Sequence, residues 1–295
     1  MGVIGKTAPW RVRAAAATSL LLVAAVGCAS STPSNPLGTP ATQVSSASGP
    51  YTGYPDSIAA LGHSLITGEG TGDESDWKAN SWTTGTNPQV NSVYLHLRQV
   101  NPAIEGHVHN LGTGGANLAA LTRQAQALSQ LQPQPELVII ATLDSDITCP
   151  ASADDFAAYG AGLKDLLNSV SEQMPASHFF ITTQTSTPTH DAEIYSLEER
   201  ARSGGTGPCA FLDPKGRLVP KELKRSETAI AGYKAQVSAA CAEVDRCHTD
   251  QSGKGWSLKR SDLSDDLNHM NLSGQARWAE HEWTLLKAAQ LVPAG

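Results

Sequence analysis

The chain has 295 residues and a formal net charge of −7, from 21 lysine and arginine residues against 28 aspartate and glutamate residues. This length accommodates one large α/β domain with appended segments as well as it accommodates two domains. The sequence has no basic cluster and no alternation of basic with aromatic residues, which are the features that a phosphate backbone requires. We therefore expect no nucleic-acid partner.

The first 28 residues have the pattern of a signal peptide. Three basic side chains precede an apolar run at residues 14–26, which is too short to span a bilayer comfortably. Residues 25–28 read Ala-Val-Gly-Cys and resemble a bacterial lipobox, in which Cys28 receives a lipid and becomes the mature N-terminus. Lipoboxes usually have leucine where this sequence has Ala25. Ordinary cleavage nearby is the alternative.

Residues 29–55 are rich in serine, threonine, proline, glycine and alanine. This composition cannot bury enough apolar surface to offset the entropy lost on ordering. We interpret the segment as a flexible tether between an N-terminal lipid anchor and a globular domain at residues 56–292. The working domain is then extracytoplasmic, either anchored in the cell envelope or secreted, and we expect it to be a monomer.

Short apolar runs alternate with longer helical segments after the tether, which is typical of a parallel sheet covered by helices on both faces. We predict strands at residues 57–62, 104–110, 136–143 and 177–183, with a weaker strand near 244–248. Helices are predicted at residues 88–101, 116–130, 152–173, 226–242 and 273–291. Residues 68–87 and 185–225 break this alternation, and long irregular segments of this kind are usually functional or mobile.

Four cysteines remain besides Cys28, and they allow three pairings. Outside the cytoplasm such cysteines form disulfides. Cys241 with Cys247 is the economical pairing, because a predicted helix ends near Cys241 and the chain then turns back. Cys149 would in that case pair with Cys209. Loop-closure entropy assigns about 2 kcal/mol to the short bridge and about 4 kcal/mol to the long one, and free buried thiols are the alternative.

Ser64 directly follows the first predicted strand, within the sequence Gly-His-Ser. The carboxyl end of a strand is where an α/β sheet usually presents its chemistry. Serine is a poor nucleophile until a base takes its proton, and a third group must hold that base in one tautomer. The position of Ser64 therefore raises the question of which histidine could serve it.

His269 is the best candidate for the base among nine histidines. Asp266 precedes it by three residues, so that the carboxylate and the imidazole can share one turn of chain. A predicted helix follows immediately. Asp266 and His269 could instead be a capping pair for that helix, which is the structural alternative.

Four motifs occur in the order of the conserved blocks of SGNH, or GDSL-like, hydrolases. They are "GHS" at Ser64, "NLGTGGANL" after the second strand, "TLDSDI" after the third and "DLNH" before the last helix. From about residue 56 to residue 290 the chain resembles this family. It is most similar to an actinobacterial lipoprotein branch whose first block reads GHS.

The resemblance implies a three-layer, flavodoxin-like α/β fold with about five parallel strands. It also implies that Ser64 is the nucleophile, His269 the general base and Asp266 its orienting partner. The oxyanion hole would consist of the backbone N–H groups of Ser64 and Gly115 and of one side chain from the third block. Ser145 stands where the family has an asparagine, and a hydroxyl is a shorter donor than a carboxamide.

The histidine of the first block, His63, stands where the family more often has an aspartate. Side chains of adjacent residues usually diverge, so we assign His63 a structural role in the nucleophile turn. His107 and His109 lie on one face of a strand but lack a third ligand for a metal. The loop "GTGGAN" lacks the third glycine of a dinucleotide motif, and the acidic stretch at residues 73–76 lacks a calcium-ligand pattern. We expect neither cofactor nor metal.

These observations predict a serine hydrolase of the SGNH type that cleaves a carboxylic ester, either a short-acyl ester or an O-acetyl ester of a glycan. The alternative is a degenerate SGNH domain that binds an envelope glycan or lipid without turnover, which Ser145 favours. If the protein were a purely structural lipoprotein, the presence of Ser64, Asp266 and His269 in these motifs would be a coincidence.

Overall fold

The structure, a computed structural model, describes residues 53–183, 186–203 and 209–294. The predicted signal peptide, the lipidation site at Cys28 and nearly all of the predicted tether lie outside the described residues. Over the three described stretches, no helix is both long enough and apolar enough to cross a membrane.

Five parallel strands form a single sheet in the order β2-β1-β3-β4-β5. Their bounds are β1 Ile58–Gly62, β2 Val108–Asn110, β3 Leu137–Ala141, β4 His178–Thr182 and β5 Cys247–Thr249. β1, β3 and β4 are buried along their whole length, which explains why continuous apolar runs identified them. β2 is shorter than predicted, because Ile104 belongs to a 3-10 turn and Gly106 has φ +84°, which interrupts the extended backbone before Val108.

Helices cover both faces of the sheet, which confirms the predicted three-layer α/β architecture. Their bounds are α1 Val93–Val100, α2 Leu118–Leu128, α3 Ala153–Gln173, α4 Pro188–Ile194, α5 Leu197–Ser203, α6 Pro220–Ala242 and α7 Leu272–Ala288. Two apolar layers result, one beneath α2, α3 and α6 and the other beneath α1 and α7.

The second segment predicted to be irregular contains regular structure. α4 and α5 lie within it, and α6 begins at Pro220, six residues before its predicted start. Proline is favoured in the first helical turn because its missing N–H has no intrahelical partner there. The polar sequence after Pro220 concealed this helix start. The first irregular segment contains only short 3-10 turns, Glu74–Asp76 and Lys78–Asn80.

Both predicted disulfides are present. Cys149 pairs with Cys209 across 60 positions, and Cys241 pairs with Cys247 across 6 positions. The long bridge ties the segment after β3 to the segment before α6. The short bridge joins the end of α6 to the start of β5, as the turn-back of the chain there suggested.

A buried polar cluster joins the end of β4 to α7. Thr182 Oγ1 lies 3.1 Å from Asp250 Oδ2 and 3.3 Å from Glu282 Oε1, and both acidic residues are fully buried. Burial, reinforced by the nearby Asp250, raises the pKa of Glu282 well above its usual value. Burial therefore favours the neutral form of Glu282 over its carboxylate.

The C-terminal helix is also bonded to the first irregular segment. Gln275, on α7, accepts a hydrogen bond from the backbone N–H of Trp82 at 3.0 Å, across 193 positions of sequence. The rings of Trp82 and Trp278 pack edge to face with their centroids 6.2 Å apart. These contacts bring the two ends of the domain together at the carboxyl edge of the sheet.

Candidate active site

Ser64 lies at the carboxyl end of β1, in a tight turn that only glycine can precede. Gly62 has φ +136°, and a Cβ at this position would lie 2.1 Å from the carbonyl oxygen of Ala141 on β3. The chain then enters a 3-10 turn at Ser64–Ile66. Ser64 is 9% exposed and faces a cavity. A central strand of the sheet thus presents this serine at the cavity surface.

Gln124, on α2, holds the end of β1 from the side. Its Oε1 accepts a hydrogen bond from Gly62 N at 2.6 Å, and its Nε2 donates to Gly62 O at 3.1 Å. The same Nε2 lies 3.3 Å from Thr113 Oγ1 in the glycine loop after β2. Sequence reasoning missed this residue. The available signal was a glutamine on the apolar face of an amphipathic helix.

His63 is buried within the nucleophile turn. Its Nδ1 accepts a hydrogen bond from Leu65 N at 3.4 Å and lies 3.9 Å from Asp144 Oδ2. Burial lowers the pKa of His63, and the nearby Asp144 carboxylate offsets this only in part. A neutral imidazole that bonds to its own turn fits a structural role better than the role of a base.

Asp266 and His269 form a bonded pair in the loop before α7. His269 Nδ1 lies 2.7 Å from Asp266 Oδ2. Asp266 Oδ1 accepts hydrogen bonds from Ser264 Oγ at 2.7 Å and from the backbone N–H groups of Asn268 and His269 at 2.8 and 2.9 Å. Partial burial raises the pKa of Asp266, but these hydrogen bonds outweigh it and hold the pKa at about 2.

The capping alternative for this pair is wrong. Asn271 is the N-cap of α7, and its side chain accepts a hydrogen bond from Gly274 N. Asp266 instead bonds to its own loop and to the imidazole of His269, so its carboxylate remains ionised beside Nδ1. A negative charge in this position holds the proton on Nδ1 and leaves Nε2 as an acceptor.

The contact that His269 Nε2 makes in the structure agrees with its being a hydrogen-bond acceptor. It lies 3.3 Å from Asn268 Nδ2, which has only hydrogen-bond donors to offer. Within the described residues, the hydroxyl of Ser64 forms no hydrogen bond with the imidazole. Both side chains nevertheless line the same cavity, and catalytic hydrogen bonds are often long before substrate binds.

The cavity has a volume of about 190 Å³ and is bounded by three groups of residues. The turn after β1 contributes His63, Ser64, Leu65 and Glu69, and the loop before α7 contributes Leu267, Asn268, His269 and Met270. The third group comes mainly from α4, α6 and the segment between them, including Asp191, Ala192, Tyr195, Phe211, Leu212 and Ile230. The segment at residues 185–225, which was predicted to be irregular, therefore forms one wall of the cavity. One residue of that wall is Asp191, whose pKa is raised by burial.

The backbone donors predicted for the oxyanion hole are free within the described part of the chain. Neither the N–H of Ser64 nor that of Gly115 donates to a protein acceptor there. Gly115 has φ +65°, and a Cβ built on it would lie 3.9 Å from Ser145 Oγ. Ser145 is exposed, and its hydroxyl donates to Asp144 Oδ2 at 3.4 Å. The structure thus brings Ser145 beside Gly115.

The third sequence motif, TLDSDI after β3, has an unusual backbone conformation at Leu143. This buried residue has φ +70°, a left-handed conformation that is unusual for a bulky side chain. The SGNH hydrolases that the chain resembles have glycine at the corresponding position of this motif, and glycine adopts such a φ freely. Asp146, three residues on, accepts hydrogen bonds from Leu118 N at the start of α2. The block therefore keeps its glycine-like backbone while its side chains differ.

The competing metal hypotheses receive no support from the positions of these residues. His107 Nδ1 lies 3.1 Å from the backbone carbonyl of Asp56, so its imidazole bonds within the domain. Residues 73–76 form an exposed 3-10 turn. Within residues 53–183, 186–203 and 209–294, no group of three acidic, histidine or cysteine side chains is arranged to hold a metal ion.

Comparison with solved structures gives matches at low sequence identity. One superposes with a TM-score of 0.50 at 16% identity, over 79% of this chain and 96% of that chain. TesA matches with a TM-score of 0.46 at 16% identity, over 79% of this chain and 99% of that chain. Phospholipase A1 from Streptomyces albidoflavus NA297 matches with a TM-score of 0.44 at 16% identity, over 79% of this chain and 98% of that chain.

No family model matches the chain, and no curated protein matches it in sequence. The fold expected from the resemblance to SGNH hydrolases is confirmed. The reaction must be inferred from the side chains of the site, because the likeness to solved structures is one of fold.

Proposed function

We propose that the protein is an extracytoplasmic serine esterase of the SGNH type. The observation that carries this proposal is the convergence of Ser64 and an Asp266–His269 pair on one cavity, from opposite ends of the domain. A nucleophile, a base and a group that orients the base are the three parts that acyl transfer to serine requires.

In the proposed reaction Ser64 Oγ attacks the carbonyl carbon of the ester while His269 Nε2 takes the hydroxyl proton. The tetrahedral intermediate then collapses, and the imidazolium gives that proton to the leaving alcohol. Water attacks the acyl-serine, again losing a proton to Nε2, and the second collapse releases a carboxylic acid and restores the Ser64 hydroxyl. Asp266 holds the imidazole in one tautomer and stabilises the imidazolium.

The oxyanion of each intermediate would receive hydrogen bonds from the free N–H groups of Ser64 and Gly115. Ser145 is proposed as the third donor, because its hydroxyl lies beside Gly115. Loss of one oxyanion donor costs about a hundred- to a thousandfold in rate. A short hydroxyl in place of a carboxamide therefore predicts a slower enzyme with an intact mechanism.

The size of the cavity favours a small substrate. Its volume of about 190 Å³ is below the range of about 300–1,000 Å³ that is common for ligand pockets. We therefore propose a short-acyl ester or an O-acetyl ester, including one carried by a glycan, as the substrate. The signal-peptide pattern at residues 1–28, with its lipobox-like end at Cys28, and the two disulfides support a place in the cell envelope.

A degenerate domain that binds a glycan or lipid without turnover is the second candidate function. The substitution of Ser145 for the family's asparagine is the observation that favours it. The free backbone donors and the bonded Asp266–His269 pair support turnover instead.

A fluorophosphonate probe distinguishes the two candidates, because it reacts only with an activated serine. We expect mass spectrometry to locate the adduct on Ser64, and we expect Ser64→Ala to abolish both labelling and hydrolysis of 4-nitrophenyl acetate. Ser203→Ala is the matched control, since Ser203 lines the same cavity but has no assigned base. Undiminished activity in Ser64→Ala would refute the proposal, and an unlabelled, inactive native protein would favour the binding function.

A further inference from the structure

Glu69 lies on a glycine-rich loop that follows the turn of Ser64 and packs against the loop of His269. Glu69 N donates to Thr67 Oγ1 at 3.2 Å, just after the 3-10 turn of Ser64. The next residue, Gly70, has φ +89°, and a Cβ on it would lie 2.6 Å from His269 Cβ. The backbone at residues 69 and 70 therefore packs directly against the residue proposed as the base.

The carboxylate of Glu69 is directed at the reacting end of the imidazole. Glu69 Oε1 lies 3.8 Å from His269 Nε2. Its other oxygen lies 2.8 Å from where a Cβ on Gly114 would be, so the absence of a side chain at Gly114 makes room for this group. The side chain is 25% exposed and lines the cavity.

This carboxylate has no hydrogen-bond donor from the described part of the chain. It is also uncompensated by any cation among the described lining residues, which include neither lysine nor arginine. A partly buried carboxylate binds donors strongly, since hydrogen bonds to charged groups exceed those between neutral groups. The donor that this group lacks in the free protein is one that a substrate can supply.

We propose that Glu69 is a specificity-determining residue, which accepts a hydrogen bond from a hydroxyl adjacent to the ester oxygen in the alcohol part of the substrate. The inference rests on the proposed esterase function. During acylation the leaving oxygen takes its proton from His269 Nε2, so that oxygen lies within hydrogen-bond distance of Nε2. Glu69 Oε1 is the neighbouring acceptor, 3.8 Å from the same nitrogen. A hydroxyl on the next carbon of the alcohol reaches it.

Three acetates test this proposal: 2-hydroxyethyl acetate, propyl acetate and 2-methoxyethyl acetate. They share one acyl group and hence one acyl-enzyme, and they differ in whether the alcohol carries a donor, a methyl group or an acceptor only. Each kcat/KM is divided by the rate constant for alkaline hydrolysis of the same ester, which removes differences in intrinsic reactivity. We expect 2-hydroxyethyl acetate to exceed the other two by about tenfold, which corresponds to about 1.4 kcal/mol.

Variants assign that preference to Glu69. Glu69→Ala should reduce the corrected ratio of 2-hydroxyethyl acetate to propyl acetate to about one, and Glu69→Gln, which keeps one acceptor oxygen, should leave an intermediate ratio. Glu74→Ala is the matched control, because Glu74 is exposed in the same segment and does not line the cavity. Labelling of Ser64 by a fluorophosphonate shows that each variant retains its site, and Glu69→Gln provides the test if Glu69→Ala does not fold.

Three results would overturn the inference. They are a corrected ratio of one in the native protein, a ratio that Glu69→Ala does not change, and a preference for acetylcholine over 2-hydroxyethyl acetate, which would assign the carboxylate to a cation. In each of these the protein hydrolyses esters, so the proposed function survives. Absence of any hydrolysis or labelling overturns the proposed function and this inference together.

Discussion

The turn that carries Ser64 and the loop that carries His269 line the same cavity, but different contacts hold them. The turn is anchored by the sheet and by Gln124, a residue 62 positions away in sequence. The loop is anchored mainly by Asp266, whose carboxylate bonds within residues 264–269, with one long-range bond from the Tyr195 hydroxyl to Leu267 O at 2.7 Å. The proposed nucleophile therefore depends on the core of the domain, whereas the proposed base depends mainly on local hydrogen bonds.

This difference predicts that mutations in the two regions affect different properties: activity in the His269 loop and stability behind Ser64. A change in the His269 loop should remove activity and leave the fold intact, because the contacts that it breaks are local and partly exposed. A change behind Ser64 should destabilise the domain, because it leaves the buried N–H of Gly62 without its partner.

The largest expected effect is on activity, in Asp266→Asn. An amide can still accept the backbone hydrogen bonds, but its NH₂ group facing Nδ1 favours the wrong imidazole tautomer, and such a change costs about 10⁴-fold in kcat. Steady-state hydrolysis of 4-nitrophenyl acetate measures the loss, and urea unfolding should show little change in stability. Asp265→Asn, at an exposed neighbour, is the control. A large loss of stability in Asp266→Asn would contradict the local anchoring.

The second effect is on stability, in Gln124→Leu. The substitution leaves the N–H of Gly62 without its partner, whereas the C=O keeps a hydrogen bond from Thr113 N at 3.0 Å. A buried unsatisfied group costs about 1–3 kcal/mol, and we expect urea unfolding to give a loss of that size. Gln126→Leu makes the same chemical change at an exposed position of α2 and should have little effect. Equal stability of the two variants would show that the sheet alone positions Ser64.

A smaller gain is expected in the oxyanion hole, from Ser145→Asn. The carboxamide has a longer reach than the hydroxyl, and it acts on charge that develops in the transition state. We expect kcat on a small activated ester to rise about tenfold, or 1.4 kcal/mol, with KM nearly unchanged, and Ser145→Ala to lower kcat. If neither variant alters kcat, Ser145 does not serve as the third donor.

The smallest effect concerns pH and the buried Glu282 on α7, which follows the His269 loop. The pKa of Glu282 is raised in the folded protein, so above the unfolded pKa only the unfolded chain releases this proton, and stability falls as the pH rises. Glu282→Gln removes that dependence, and its urea midpoint relative to the native protein should rise between pH 5 and pH 8. Glu172→Gln, at an exposed position of α3, should show no such trend.

The sequence carried enough information to locate the sheet. β1, β3 and β4 are continuous apolar runs because both of their faces are covered, and such runs are visible without a structure. The disulfide pairing was also predictable, since the turn from α6 into β5 left Cys241 and Cys247 close together. α4 and α5 escaped prediction, because serine, proline and charged residues in that segment lack a continuous apolar period.

The site was predictable only where its parts follow chemical motifs. Ser64 and the Asp266–His269 pair have short-range signatures, a serine at a strand end and a carboxylate three residues before a histidine. Gln124 has only a weak signal, a polar residue on the apolar face of an amphipathic helix, and Glu69 has none, because their roles depend on which distant backbone or imidazole they meet. Contacts of that kind arise only when the chain has folded.

The hydrogen bond between Trp82 and Gln275 shows that the cavity is assembled from the two ends of the described chain, 193 positions apart. Synthesis delivers the N-terminal part first. A chain that has completed β1 but not α7 carries Ser64 without His269. The cavity is therefore complete only after α7 has docked, and any reactivity of Ser64 that depends on His269 arises at that last step.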